Sequence, residues 1–110
     1  HMSASNISAV TKDASAAAVS GRTRLMGVYF VNALAGGSAT QSSVNLRNGA
    51  AVSDSILLTL NASTAAGGTT IDIPDGGMLF SGGIYIDIPT ETPTNSITHV
   101  TLLFEGGVAA

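Results

Sequence analysis

The chain has no cysteine and no tryptophan, three prolines among 110 residues, and only 10% charged side chains, against about 25% in an average globular domain. Each shortage removes a class of function. Without thiols there is no disulfide framework, no thiolate nucleophile and no cysteine-ligated metal. Four Lys and Arg against seven Asp and Glu give a net charge of −3. That leaves no cationic surface to neutralise a phosphate backbone, so nucleic acid is not expected as a partner. No apolar run approaches the roughly 20 residues of a membrane helix, so no membrane partner is expected either. The opening residues carry no signal-peptide pattern.

What is present is a 45% hydrophobic fraction rich in alanine, with Ser, Thr, Asn and Gly as the polar remainder. Such a surface stays soluble through neutral hydroxyl and amide groups, and few charges need desolvation when it is covered. The length suits one small domain with a single core. His1-Met2 reads as a cloning remnant, which leaves His99 as the native histidine.

Residues 3–20, "SASNISAVTKDASAAAVS", offer only Ile7, Val10 and Val19 as sizeable apolar side chains. They read as an N-terminal arm or a first edge strand, with those three residues as candidates for contact with a neighbour. From Arg22 the texture changes to strands. "RTRLMGVYFVNA" is a continuous apolar strand with a bulge at Gly27. "SVNLR" alternates, "NGA" at 48–50 is a hairpin signal, and "SILLTLN" puts Ile56, Leu58 and Leu60 on one face. "TTIDI", "MLF" and "IYIDI" are separated by the turns "PDGG" and "SGG", where Pro74 presets its own φ and Gly76 or Gly77 takes positive φ. "SITHVTLLFEG" closes the series with Val100, Leu102 and Phe104 on one face.

Nothing longer than a turn has helical periodicity. The reading is an all-β protein: a single antiparallel β-sandwich, jelly-roll-like, of about eight short strands, with an extended N-terminal arm. The sandwich spans residues 21–106 and a short tail 107–110.

The tetrapeptide Ile-Asp-Ile-Pro occurs twice, at 71–74 and 86–89. Period two puts the isoleucines on one face and Asp72 and Asp87 on the other, towards solvent or a subunit neighbour. Each proline stands where a strand ladder stops. A catalytic carboxylate pair needs an environment that splits the two pKa values, and the aromatic-poor chain offers no such setting. Asp72, Asp75 and Asp87 with backbone oxygens are a conceivable calcium set without EF-hand spacing. His99, without a second histidine, is no zinc site and only a weak triad base. No catalytic residue, metal or cofactor is expected. Arg22 and Arg24 share parity, so they leave one face of their strand. With Arg47 they are either solvated or interface anchors for acids on a partner. Asn6 and Asn61 each begin an N-x-S glycosylation pattern.

The segments "GRTRLMGVYFVN", "SVNLRNGAAVSDSILLTLN", "IDIPDGGMLFSGGIYIDI" and "SITHVTLLFEG" resemble small structural proteins of tailed bacteriophages, cyanophage-like in texture. The resemblance runs from Gly21 to Gly106. Its pattern of turn, short strand and glycine-aromatic strand falls on Ile73, Pro74, Gly76, Gly77, Phe80, Gly83 and Tyr85. It implies a Gly-rich β-sandwich of the virion, of the capsid decoration or cement type. The major capsid protein would be its partner, the capsid surface its location and a homotrimer its assembly. The alternative it leaves open is a spike or tail module that binds host glycan.

Overall fold

The computed structural model describes residues 6–33, 42–62, 66–89 and 96–110. They form eight strands: β1 (Ser8–Lys12), β2 (Ala16–Asn32), β3 (Ser43–Asn48), β4 (Ile56–Asn61), β5 (Gly67–Asp72), β6 (Met78–Phe80), β7 (Gly83–Asp87) and β8 (Ile97–Ala109). The described residues contain no helix, and every pair of neighbouring strands is antiparallel. The loop expected between β2 and β3 and the proline-bounded loop before β8 fall largely outside the described residues.

One continuous ladder is folded into two facing layers, and β2 belongs to both. Residues 16–20 of β2 pair with β7, which continues to β3 and β4. Residues 23–32 pair with β6 and β5 on one side, and β8 runs along the other side with β1 beyond it. Counted by partners, β1 pairs with β8, the first half of β2 with β7, its second half with β5 and β6, and β3 with β4. These pairs nest like one long hairpin rolled up, which is the jelly roll expected from the strand count.

The strands change layers at one corner. There β2 turns at Gly21, β8 at Gly106, and the chain passes from β6 into β7 at Gly83, all three positive-φ glycines. Gly83 is the tightest of these, with φ of 104°. A Cβ there would stand 2.6 Å from the Val19 carbonyl oxygen, so only glycine fits without moving backbone. Asn48 braces the corner, accepting from Gly82 N (2.7 Å) and donating to Ser81 Oγ (3.2 Å).

A bulge at Gly27 resets the strand's phase. Leu25 faces Phe104 and Gly27 faces Leu103, leaving Met26 as the extra residue. Before it Thr23 and Leu25 are buried; after it Val28 and Phe30 are. Alternation broken by one residue is what a bulge produces. The segment 73–77 does not reverse the chain. β5 and β6 run along β2 in the same direction, and the "IPDGG" turn between them is a blister on that edge. Gly76 and Gly77 both take positive φ, as does Asp75 at 59°.

The core holds Leu60, Ile84, Ile86, Val100, Leu102 and Phe104, as the alternation requires, together with Phe30, Phe80, Leu25 and Leu46. Leu58, Ile71 and Ile73 pack against it from half-buried positions. Ile56, expected inward, is exposed. The β3–β4 ladder slips between Leu46 and Arg47, so Ile56 falls opposite Arg47 rather than over the core. The "NGA" signal does mark the β3–β4 hairpin, but the connection runs from 49 to 55 instead of closing in two residues.

Of the two readings of the N-terminal segment, the edge strand holds for residues 8–12 and the free arm does not. Residues 8–12 are an edge strand on β8, and 16–20 are the first half of β2. Val19 is fully buried in the chain's own core, and Val10 packs against that core opposite Leu102. Small side chains let this segment lie flat against the sheet, so backbone hydrogen bonds and a few apolar contacts order it without a partner. The tail is likewise part of β8, which ends at Ala109, and Ala110 N donates to Ala18 O at 2.9 Å.

Two substitutions separate corner strain from ordinary turn tolerance. Gly83→Ala should lower unfolding free energy by about 2–5 kcal/mol, strain and overpacking together. Gly82→Ala, whose Cβ would meet nothing closer than Asn48 Oδ1 at 3.4 Å, should cost under about 1 kcal/mol in urea titrations. Deleting residues 3–20 removes β1, Ala18 and Val19, so the shortened chain should lose its cooperative melting transition. An intact transition would return the segment to the status of an arm.

Candidate functional site

The two aspartates of the repeated tetrapeptide both leave the core face, as period two demands, but they meet different neighbours. Asp72 lies opposite Gly27, which has no side chain to offer, and is exposed. Asp87 lies opposite Asn45 and is only 8% exposed. Its Oδ2 accepts from Arg47 Nε at 3.0 Å and Asn45 Nδ2 at 3.4 Å, and pairs with Arg47 Nη2 at 2.8 Å. Asp87 is therefore engaged within the chain rather than turned freely to solvent. A half-buried guanidinium one register step away claims it.

The pair also holds a loop. Arg47 Nη1 donates to the Asp54 carbonyl at 2.9 Å. The Asp54 carboxylate accepts from Ala50 N and Ala51 N at 2.9 and 3.0 Å. Thr59 Oγ1 donates to Asn45 Oδ1, extending the network to β4. These bonds fix the 49–55 loop, whose tip displays Val52 at 55% exposure. Beside it lies an open cleft of about 550 Å³ floored by Asn45, Arg47 and Asp87. Ser15 and Ile88 line it too, joined by a reciprocal pair of bonds (Ile88 N to Ser15 Oγ, 2.8 Å; Ser15 Oγ to Ile88 O, 3.3 Å). The two ionisable groups in this cleft already neutralise each other, so the arrangement fixes shape.

Arg22 and Arg24 stand at the layer-changing corner. Both are exposed on one face, and Thr23 between them is buried with its hydroxyl donating to Gly21 O at 2.7 Å. With Glu105 and Gly106 they line a smaller cleft of about 260 Å³. Glu105 lies opposite Arg24 in the ladder, yet neither arginine forms an ion pair among the described residues. Arg47 is engaged on the other sheet, so the three arginines do not gather. Ile7 alone of the three N-terminal apolar candidates is exposed. Asp72 and Asp87 sit on opposite outer faces of the sandwich. Among the described residues no three His, Cys, Asp or Glu side chains come together as a metal set.

One surface group escaped the sequence reading. On the outer face of the first layer Tyr29 is 40% exposed, with its ring 6.5 Å from that of His99 at 50°. Thr70 and Thr101 flank it in the ladder, and Thr11 and Thr101 share a hydroxyl bond of 2.7 Å. The phase shift at Gly27 brings Tyr29 outward, and cross-strand register brings His99 beside it. Neither follows from local pattern without knowing the pairing.

Fold and surface together define an all-β jelly-roll module. Comparison with protein families, curated proteins and solved structures returned no match.

The aspartates can be told apart by mutation. Asp87→Asn should destabilise by about 1–3 kcal/mol, the range for a hydrogen bond to a charged group. Asp72→Asn should change stability by less than about 0.5 kcal/mol. Equal effects in chemical denaturation would contradict the difference in surroundings.

Proposed function

We propose that this protein is a non-enzymatic structural module that seats on the outside of an assembled phage head, a capsid decoration or cement protein whose partner is the major capsid protein. The observation that carries the reading is the pair Arg22 and Arg24. They are exposed side by side at the rigid corner of an otherwise charge-poor surface. Arginine is enriched at interfaces and binds carboxylates through paired hydrogen bonds. With only 10% charged side chains in the chain, few other charges need desolvation when such a surface is covered. The resemblance to small virion proteins supports the same reading.

A second reading has its own observation. Tyr29 on an open, threonine-rich sheet face, with His99 beside it, is a surface on which a sugar ring can stack. That would make the protein a glycan-binding module of a spike or tail.

Co-sedimentation with undecorated capsids tests the first reading. The wild-type protein should pellet with the shells, and Arg22→Ala with Arg24→Ala should lower its affinity about tenfold or more without changing the melting temperature. No co-sedimentation of the wild type, together with glycan-array binding abolished by Tyr29→Ala, would favour the second.

A further inference from the structure

The Arg47–Asp87 pair leaves hydrogen-bonding capacity unused on the floor of the cleft of about 550 Å³, on the outer face of the β7–β3–β4 layer. The side-chain contacts of Asp87 all fall on one oxygen. Its Oδ2 takes Arg47 Nε, Arg47 Nη2 and Asn45 Nδ2, whereas Oδ1 has no partner among the described residues. No sealed side-chain oxygen or nitrogen among those residues goes unbonded. Oδ1 is therefore open to solvent, and Asp87 meets solvent along this cleft. Arg47 spends Nε and Nη2 on Asp87 and Nη1 on the Asp54 carbonyl, so each terminal nitrogen keeps a second N–H. Asn45 keeps one as well, since its Nδ2 gives a single bond and its Oδ1 accepts from Thr59. The walls are aliphatic: Val52 on the loop tip, with Ile88 and Pro89 just after β7.

We propose that this cleft is a binding site for a neutral sugar ring. The charges on its floor cancel, so a cationic ligand would meet Arg47 and an anionic one Asp87, each desolvated for no net attraction. A purely apolar ligand would strip water from Asp87 Oδ1 and offer no donor in return, leaving an acceptor unpaired. A hydroxyl answers both halves of the floor, because one group donates to Oδ1 and accepts from Asn45 or Arg47. Adjacent hydroxyls on one ring edge repeat that exchange, while the C–H face of the ring lies against Val52 and Pro89. The cleft volume of about 550 Å³ falls within the roughly 300–1,000 Å³ of ligand sites. Its walls are set before anything binds. The Asp54 carboxylate holds the loop through Ala50 and Ala51, and Ser15 and Ile88 hold each other. A preformed site loses little conformational entropy on binding. The cleft lies on the layer opposite Tyr29 and apart from Arg22 and Arg24, so the inference depends on neither proposed function.

Amide chemical-shift titration of the whole chain tests this, with glucose, galactose, mannose and N-acetylglucosamine as neutral probes. Glucosamine and glucuronic acid serve as the cationic and anionic counterparts, and propionamide as a neutral amide. At least one neutral sugar should saturably shift the amides of Asn45, Val52, Asp87 and Ile88 while those of Tyr29 and His99 stay unmoved. Asp87→Asn should lower that affinity about tenfold or more, as losing a hydrogen bond to a charged group does. Val52→Asp, at an exposed loop tip, should keep the melting temperature and weaken binding several-fold, and it decides the matter should Asp87→Asn fail to fold. Three results overturn the proposal: no saturable shift with any neutral sugar, shifts confined to the Tyr29 face, or tighter binding of a charged sugar or of propionamide. A Val52→Asp protein that binds as the wild type does overturns it too.

Discussion

The long pairing of β2 with β8, carried through the corner, is the constraint on which the rest of the structure depends. β2 is 17 residues long and β8 is 13, and their ladder extends from Val19↔Ala109 to Asn32↔Ile97. Because the two strands turn the corner together, both layers are built on one spine; every other strand but β4 pairs with it or with a neighbour of it, and β4 is added through β3. Bulges absorb the turn. The ladder shifts between Ser20 and Thr23, at the corner, and again at Gly27, where burial changes phase. A straight ladder of this length would leave half the apolar side chains facing water.

The second constraint is electrostatic. A chain with so few charges can leave most of them in water, and it spends one pair inside. Arg47 and Asp87 tie β3 to β7 and, through Asp54, hold the loop that leads into β4. Breaking such a pair leaves a half-buried charge without its partner, which is more damaging than never having had the pair. The surface that remains is nearly neutral. Its notable features are two exposed arginines and one exposed tyrosine, and the two proposed functions rest on these.

Much of the fold was legible in the sequence because its signals are local. Alternation in "SITHVTLLFEG" and "IYIDI", the glycines of "PDGG" and the bulge at Gly27 all act within a few residues. What was not legible depends on register between distant strands. Ile56 reads as core until the slip opposite Arg47 is known. Asp87 reads as exposed until Asn45 and Arg47 are placed beside it. The N-terminal segment has too little apolar area to decide between an arm and an edge strand, and the availability of β8 and β7 as partners decides for strand. Of the candidate contact residues, Ile7, Arg22, Arg24 and Asp72 are exposed, whereas Val10, Val19, Arg47 and Asp87 are engaged within the chain.

Amide hydrogen exchange followed residue by residue tests the central claim most directly, since protection reports hydrogen-bonded structure that opens only with the fold. If β2 and β8 form one ladder through the corner, the amides bonded within it at residues 19–20 and 108–109 should exchange with protection of the same order as those at 28–30 and 100–104. Rapid exchange at 8–20 and 107–109 alongside a protected 23–104 would contradict it, and would leave a sandwich with a loose arm and tail.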